Sequence, residues 1–90
     1  MKEEPQLFIL VEAYYPLEDS IRKICKELQK IGELTIFKTW GVYDIVAEVR
    51  ISKYKPKEIR EKIEKMDGVR SAFVLPVISP SKKYDEKSLG

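Results

Sequence analysis

The chain has 90 residues, which is enough for one domain. Apolar types make up 43 % of it and charged types 36 %, a composition too apolar for a disordered chain and too charged for a membrane protein. The net charge of +2 is too small an excess of positive residues to indicate a protein that binds mainly the phosphate backbone of a nucleic acid. The chain has no histidine, which excludes histidine-assisted catalysis and imidazole metal sites. A single cysteine, Cys25, excludes an intrachain disulfide and any multi-thiolate metal site.

The N-terminal segment has no hydrophobic region of the signal-peptide kind, so we expect a cytoplasmic protein. No apolar run approaches the roughly 18 residues of a membrane-spanning helix. Lys and Glu dominate the charged residues and amides are few, a composition typical of a thermophile's surface.

The first half of the chain changes its hydrophobic period twice. The apolar run 6–14 is β-branched and aromatic and predicts a central strand. Over 18–31 the apolar residues recur at three- and four-residue spacing, which predicts a helix with Gly32 as its C-terminal stop. Glu18 suits the positive end of the helix dipole in the first turn. Residues 33–40 return to strand character.

The second half repeats the order of strand, helix and strand. Residues 40–44 predict a turn, and 44–52 then alternate, which places a set of apolar residues on one face: Ile45, Ala47, Val49 and Ile51. Pro56 suits the first position of a second helix over 56–66. Residues 69–78 predict a last strand.

The predicted order is therefore βαββαβ. Two interleaved right-handed βαβ crossovers make a four-stranded antiparallel sheet with both helices on one face. We expect an α+β fold of the ferredoxin-like plait type, forming a single domain over residues 1–78, with a polar C-terminal tail over 79–90.

The first and last strands are apolar on both sides, as Leu7 and Ile9 alternate with Phe8 and Leu10. An antiparallel sheet with one wet face should alternate apolar and polar residues instead. Because the two helices cover only one face, another chain has to cover the other, and we expect a dimer built on the open sheet faces.

The richest local cluster is the turn Trp-Gly-Val-Tyr-Asp over 40–44. Gly41 lets a ligand approach the backbone closely, Asp44 can accept a cation such as an α-ammonium group, and Trp40 and Tyr43 offer flat apolar walls. The alternative is a β-hairpin turn whose aromatic residues lie in an interface, with Asp44 only capping the turn. Composition alone favours this alternative.

Other candidate sites are weaker. Cys25 lies on the apolar stripe of the first helix, which indicates a structural thiol, and the lysine-rich stretch 53–62 is interrupted by glutamates, as on a solvated face. Acyl-phosphate hydrolysis would require a phosphate-binding loop, but residues 14–19 are acidic and lack glycine. The chain has no paired thiols for a metallochaperone, and 44–52 lacks the aromatic signature of an RNA-recognition motif.

Two segments resemble the Lrp/AsnC family, and more narrowly its C-terminal effector-binding and oligomerisation (RAM) domain. They are WGVYDIVAEVR at 40–50 and IREKIEKMDGVRSAFVLPVI at 59–78. The family shows a Gly-x-Tyr-Asp turn before an apolar strand, then a helix, a Gly-Val pair and a last strand. The turn corresponds here to Gly41, Tyr43 and Asp44, and the resemblance covers about residues 6–78.

The resemblance implies dimerisation through the sheets, assembly into tetramers or octamers, and an amino-acid effector bound where dimers meet. The family usually adds an N-terminal helix-turn-helix DNA-binding domain, whereas five residues precede the first predicted strand here. We therefore expect a stand-alone effector domain that has no cofactor and no enzymatic activity. It would modulate transcription through co-assembly with full-length regulators, without direct DNA binding.

Three positions depart from the family pattern. Trp40 replaces a small Thr or Ser, Pro16-Leu17 replaces Pro-Gly, and the two hydroxyl residues of the last strand correspond to Ser71 and Phe73. The candidate effector site has five members: Trp40, Gly41, Tyr43, Asp44 and Ser71. The departures favour a second hypothesis, a structural oligomerisation module with a degenerate pocket. An enzyme acting through Tyr, Asp or Glu is a third hypothesis, disfavoured because no activated nucleophile is visible.

Overall fold

The computed structural model describes residues 5–78, which form six elements in the order βαββαβ. The elements are β1 (Leu7–Ala13), α1 (Glu18–Leu28), β2 (Gly32–Lys38), β3 (Ile45–Ser52), α2 (Pro56–Glu64) and β4 (Val69–Pro76). All strand pairings are antiparallel and the strand order is β2-β3-β1-β4. The predicted α+β ferredoxin-like plait is confirmed. The predicted tail, 79–90, and the N-terminal residues 1–4 lie outside the described residues.

The core lies between the two helices and one face of the sheet. Alternate residues of the central strands are buried there: Leu7, Ile9, Val11, Ala13, Ile45, Ala47 and Val49. The helices bury the apolar stripes that their periodicity predicts: Ile21, Ile24 and Leu28 on α1, and Ile59 and Ile63 on α2. Among residues 5–78 the core is entirely apolar, since no polar or charged residue is buried.

The helices begin where the sequence predicts and end earlier. Glu18 lies in the first turn of α1, and Pro56 opens α2. The predicted end of α1 at residue 31 and the predicted stop at Gly32 were wrong, because α1 ends at Leu28 and Gly32 is the first residue of β2. A Cβ on Gly32 would overlap the carbonyl oxygen of Ile51, so this position requires glycine for close strand approach. Neither helix is long and apolar enough to cross a membrane.

The predicted alternation of β3 does not hold to its end. Ile51 is 41 % exposed, whereas Ile45, Ala47 and Val49, which were predicted to share its face, are buried. The β2–β3 pairing is irregular at this point, where Glu33 pairs with Ile51 but Leu34 pairs with Val49, and Arg50 is left without an opposite residue. Such a bulge changes the direction of the strand locally and moves Ile51 away from the helices.

The second face of the sheet is open in one chain and largely apolar, as the two-sided pattern of β1 and β4 predicts. An apolar row crosses all four strands: Phe37 pairs with Val46, Val46 with Leu10, and Leu10 with Phe73. The next row is formed by Thr35, Glu48, Phe8 and Leu75. We call these two rows the open sheet face.

Candidate functional site

The β2–β3 turn is held by hydrogen bonds across its base. The backbone N–H of Thr39 donates to the carbonyl of Asp44 at 2.9 Å, and the Thr39 hydroxyl donates to the carbonyl of Tyr43 at 2.7 Å. Gly41 has a φ of 124°, and no atom lies within 4 Å of where its Cβ would be. The backbone conformation of the turn therefore requires glycine at this position.

Asp44 anchors the turn to β1. Its Oδ2 accepts the backbone N–H of Ala13 at 2.7 Å, and its own N–H donates to the carbonyl of Val11 at 2.9 Å. A carboxylate has acceptor capacity beyond one hydrogen bond. Asp44 thus has a structural role in holding the turn, and its side chain keeps capacity for an additional donor.

An open depression of about 700 Å³ lies beside this turn. It is lined by Pro16, Glu18, Ile21, Lys38, Thr39, Trp40, Gly41 and Asp44. The lining comes from the β1–α1 connection, the first turns of α1, the end of β2 and the turn itself. The depression combines carboxylates of Glu18 and Asp44, the ammonium of Lys38 and the apolar surface of Ile21 and Trp40.

Glu18 and Lys38 are lining residues that the sequence analysis missed as site candidates. Glu18 was interpreted only as a favourable charge at the start of a helix, and Lys38 lay without any assigned role in the predicted strand 33–40. The signal that could have found them is the fold, because β1 and β2 both lead into connections at the same end of the sheet.

Trp40 is fully exposed on the rim of the depression. The same two connections expose further large apolar residues: Tyr14, Tyr15, Leu17 and Val42. Exposed aromatic and aliphatic side chains gathered at one end of a domain are typical of a surface that contacts another molecule.

Two of the predicted site residues lie elsewhere. The Tyr43 ring meets the Phe73 ring edge to face, with 6.0 Å between centroids and 78° between planes. The Ser71 hydroxyl donates to Oε1 of Glu12 at 3.1 Å. The structure therefore brings Trp40, Gly41 and Asp44 to the depression, whereas Tyr43 and Ser71 contact residues of β1 and β4.

Cys25 is half-buried on α1. Burial raises the pKa of its thiol above the ordinary value, and the positive charge of Lys38 partly offsets that rise. A thiol with a raised pKa is a poor nucleophile at neutral pH. Within residues 5–78, no cluster of three or more His, Cys, Asp or Glu side chains is arranged to hold a metal ion.

Comparison with known proteins gives no match to a family model, a curated protein or a solved structure. The Lrp/AsnC resemblance therefore depends on the Gly-x-Tyr-Asp turn and the segments around it.

Proposed function

We propose that this chain is a non-enzymatic effector-binding and oligomerisation domain of the Lrp/AsnC type, with an amino acid as its effector. The observation that carries the proposal is the set of opposite charges in one depression, where Lys38 lies with Glu18 and Asp44 beside an exposed indole. A free amino acid is a zwitterion. Lys38 would pair with its carboxylate, Asp44 would accept its ammonium, and Trp40 would contact its side chain. Glu18 would add negative charge nearby, although its carboxylate is paired with Arg22 at 3.4 Å.

An open depression on one chain favours a ligand bound between chains. Small-molecule sites usually enclose most of the ligand surface, and here the indole of Trp40 extends into solvent at the rim. A second copy that covers Trp40 would enclose the effector. This arrangement agrees with the dimer–dimer location that the resemblance implies.

The dimer itself is proposed to form through the open sheet face. Phe37 and Phe73 are 46 % and 44 % exposed at the two ends of the apolar row, and Leu10 and Val46 connect them. In a two-fold dimer the same patch meets itself, so one continuous apolar row supplies both halves of the interface. Burial of this row would remove from water two of the three phenylalanine side chains on that face.

The regulatory step would then be a shift between assemblies. An effector that binds better to one assembly increases its population by the difference in affinity. In the cytoplasm, the chain would co-assemble with full-length regulators of the family and alter their assembly without itself contacting DNA.

A purely structural oligomerisation module is the second candidate. It is supported by the hydrogen bond of Asp44 to Ala13, which already gives this carboxylate a structural role. It is also supported by the distribution of the predicted site, because Tyr43 contacts Phe73 and Ser71 contacts Glu12.

A thermal-shift panel with the twenty amino acids at millimolar concentration distinguishes the two candidates. A ligand at 100 times its dissociation constant adds about 2.7 kcal/mol to the free energy of unfolding, which is several degrees for a domain of this size. We expect a selective shift that is lost in Lys38→Gln and kept in Lys26→Gln, which changes a lysine outside the depression. A flat panel from a folded oligomer would favour the structural module.

The substitution Trp40→Thr gives an independent comparison. An effector site that uses the indole is weakened or changes its specificity in this variant. A degenerate pocket instead gains amino-acid binding, because the small hydroxyl residue typical of the family is restored.

A further inference from the structure

A second groove, which the proposed function does not use, lies between α1 and α2 on the helical side of the domain. Its volume is about 580 Å³. Its apolar lining comes from four residues, of which Tyr54 and Met66 are half-buried and Ile24 and Ile31 are buried in the core beneath them. Its charged surface comes from six: Lys23, Lys30, Lys62, Lys65, Glu27 and Asp67. We call it the interhelical groove.

The lysines of the interhelical groove outnumber its acids by four to two. Lys30 is neutralised by Glu27, with 3.0 Å between Nζ and Oε1. Over the described range, 5–78, Lys23 and Lys65 have no acidic partner within ion-pair distance. The interhelical groove therefore keeps a positive surplus on a chain whose net charge is only +2.

The arginines of the helices contribute nothing to this surplus. Arg22 is paired with Glu18 on α1, and Arg60 with Glu64 on α2. Neither arginine lines the interhelical groove. The unpaired positive charge of the interhelical groove therefore comes from lysines alone. A lysine ammonium is a compact point charge that can bind a phosphate or carboxylate oxygen.

Lys62 is held in a defined place. Its Nζ lies 4.4 Å from the centroid of the Tyr54 ring, a cation–π contact. Tyr54 is half-buried, and its hydroxybenzyl side chain forms part of the apolar surface. The interhelical groove therefore has a positioned ammonium directly beside an apolar wall.

We propose that the interhelical groove binds a small amphipathic anion, with an apolar or aromatic body and a phosphate or carboxylate head. The body would lie on Tyr54 and Met66, and the head would meet Lys23, Lys62 and Lys65. The volume is in the range of small-molecule pockets. A nucleic acid fits less well, because Asp67 also lines the interhelical groove and would repel a continuous phosphate backbone.

An NMR titration of the ¹⁵N-labelled chain tests the ligand class with four probes. Phenyl phosphate and phenylacetate carry the two possible heads on the same aromatic ring, while inorganic phosphate and benzyl alcohol carry a head or a body alone. We expect saturable shifts of the Ile31, Tyr54 and Met66 amides with phenyl phosphate, phenylacetate or both, and the stronger binder identifies the head. The two partial probes should bind at least about tenfold more weakly, because each lacks half of the contacts.

Paired lysine variants test the location. Lys23→Gln combined with Lys65→Gln should weaken binding of the amphipathic anion at least about tenfold. The control combines Lys26→Gln on α1 and Lys57→Gln on α2, which remove the same charge outside the interhelical groove and should leave affinity within about twofold. All four positions are exposed, so the fold should persist, and the NMR spectrum verifies it.

Three results would overturn the proposal. One is an absence of saturable binding by both amphipathic anions at millimolar concentration. Another is equal loss of affinity in the two lysine pairs. The third is a set of shifts confined to the open sheet face or the β2–β3 turn. None of these results bears on the amino-acid panel, which reports on the separate depression beside Trp40.

Discussion

The carboxylate of Asp44 and the backbone amide of Ala13 are joined by a 2.7 Å hydrogen bond, although the two residues are 31 positions apart in the chain. Ala13 is the last residue of β1, and Asp44 closes the turn that carries Trp40 and Gly41. The end of a central strand therefore determines where the exposed turn lies. Because Asp44 also lines the depression, the position of the site depends on its two hydrogen bonds to β1, from the Ala13 N–H to its Oδ2 and from its own N–H to the Val11 carbonyl.

Replacement of Asp44 tests its structural role through the free energy of unfolding. Asp44→Ala leaves the Ala13 N–H without its acceptor, and we expect a loss of about 1–3 kcal/mol in the free energy of unfolding. Asp44→Asn keeps an oxygen at that position, so most of this stability should return. Urea denaturation measures both variants, with Glu61→Ala as an exposed acidic control. Equal stability of Asp44→Ala and the wild type would contradict the anchoring role.

Disruption of the open sheet face should dissociate the proposed dimer. Leu10 lies in the centre of the apolar row and points away from the core, so Leu10→Lys should leave the fold intact. Burial of a lysine in the interface should cost 2 kcal/mol or more, which is about 30-fold in the dimer dissociation constant. Light scattering coupled to size-exclusion chromatography measures the mass of the particle.

Leu17→Lys is the matched control, because it makes the same change at a position that is 67 % exposed on the β1–α1 connection. It should leave the sheet dimer unchanged. A monomeric wild type, or dissociation by Leu17→Lys but not by Leu10→Lys, would show that the interface lies elsewhere.

Two glycines should differ sharply in their tolerance of alanine. In Gly32→Ala the new Cβ overlaps the carbonyl of Ile51, so β2 and β3 have to separate and we expect a loss above about 3 kcal/mol. In Gly41→Ala the space is empty and only the positive φ opposes the side chain, which costs about 1–3 kcal/mol. Thermal and urea unfolding would rank them, and the reverse order would contradict this account of the β2–β3 contact.

Stability should fall as alkaline pH ionises the Cys25 thiol in the unfolded chain. The folded state has the higher pKa because burial penalises the thiolate. The unfolded state therefore loses its proton first as pH rises, and unfolding becomes more favourable above the ordinary thiol pKa of about 8.5. The loss is complete once pH exceeds the folded pKa.

The comparison with Cys25→Ala isolates this contribution. The difference in unfolding free energy between wild type and variant should be constant at neutral pH and should decrease above about pH 8.5. Alkylation by iodoacetamide should be slow in the native protein and fast in urea. A pH-independent difference would indicate that the thiol ionises equally easily in both states.

The hydrophobic period of this chain was sufficient to predict the order of its helices and strands, but not the residues at which they end. Ile31 continues the apolar spacing of α1 and is buried, yet the helix ends at Leu28, since a turn residue can fill the core as well as a helical one. Ile51 continues the alternation of β3 and is exposed because β3 itself has a bulge at Arg50. The spacing of apolar residues predicts which of them share a face. It does not predict where a bulge or a turn interrupts that face.

The candidate site was predictable only where it is contiguous. Trp40, Gly41 and Asp44 were found together because they lie within one turn. Lys38 and Glu18 line the same depression only because of how β1, α1 and β2 are arranged. Lys23 and Lys65 line the same groove only because the two helices pack side by side. A group of lysines on one surface is hard to predict when acidic residues lie between them in the sequence. Folding can place the lysines and the acidic residues on different surfaces.

The placement of both helices on one side of the sheet has a consequence for valency. In a dimer closed over the open sheet face, the two interhelical grooves would face outward in opposite directions. Each particle would then be bivalent towards anything that displays the anion repeatedly, and avidity would depend on the spacing of the displayed groups. Dimerisation through the sheets would thus convert a domain that binds one anionic group into a particle that can crosslink two.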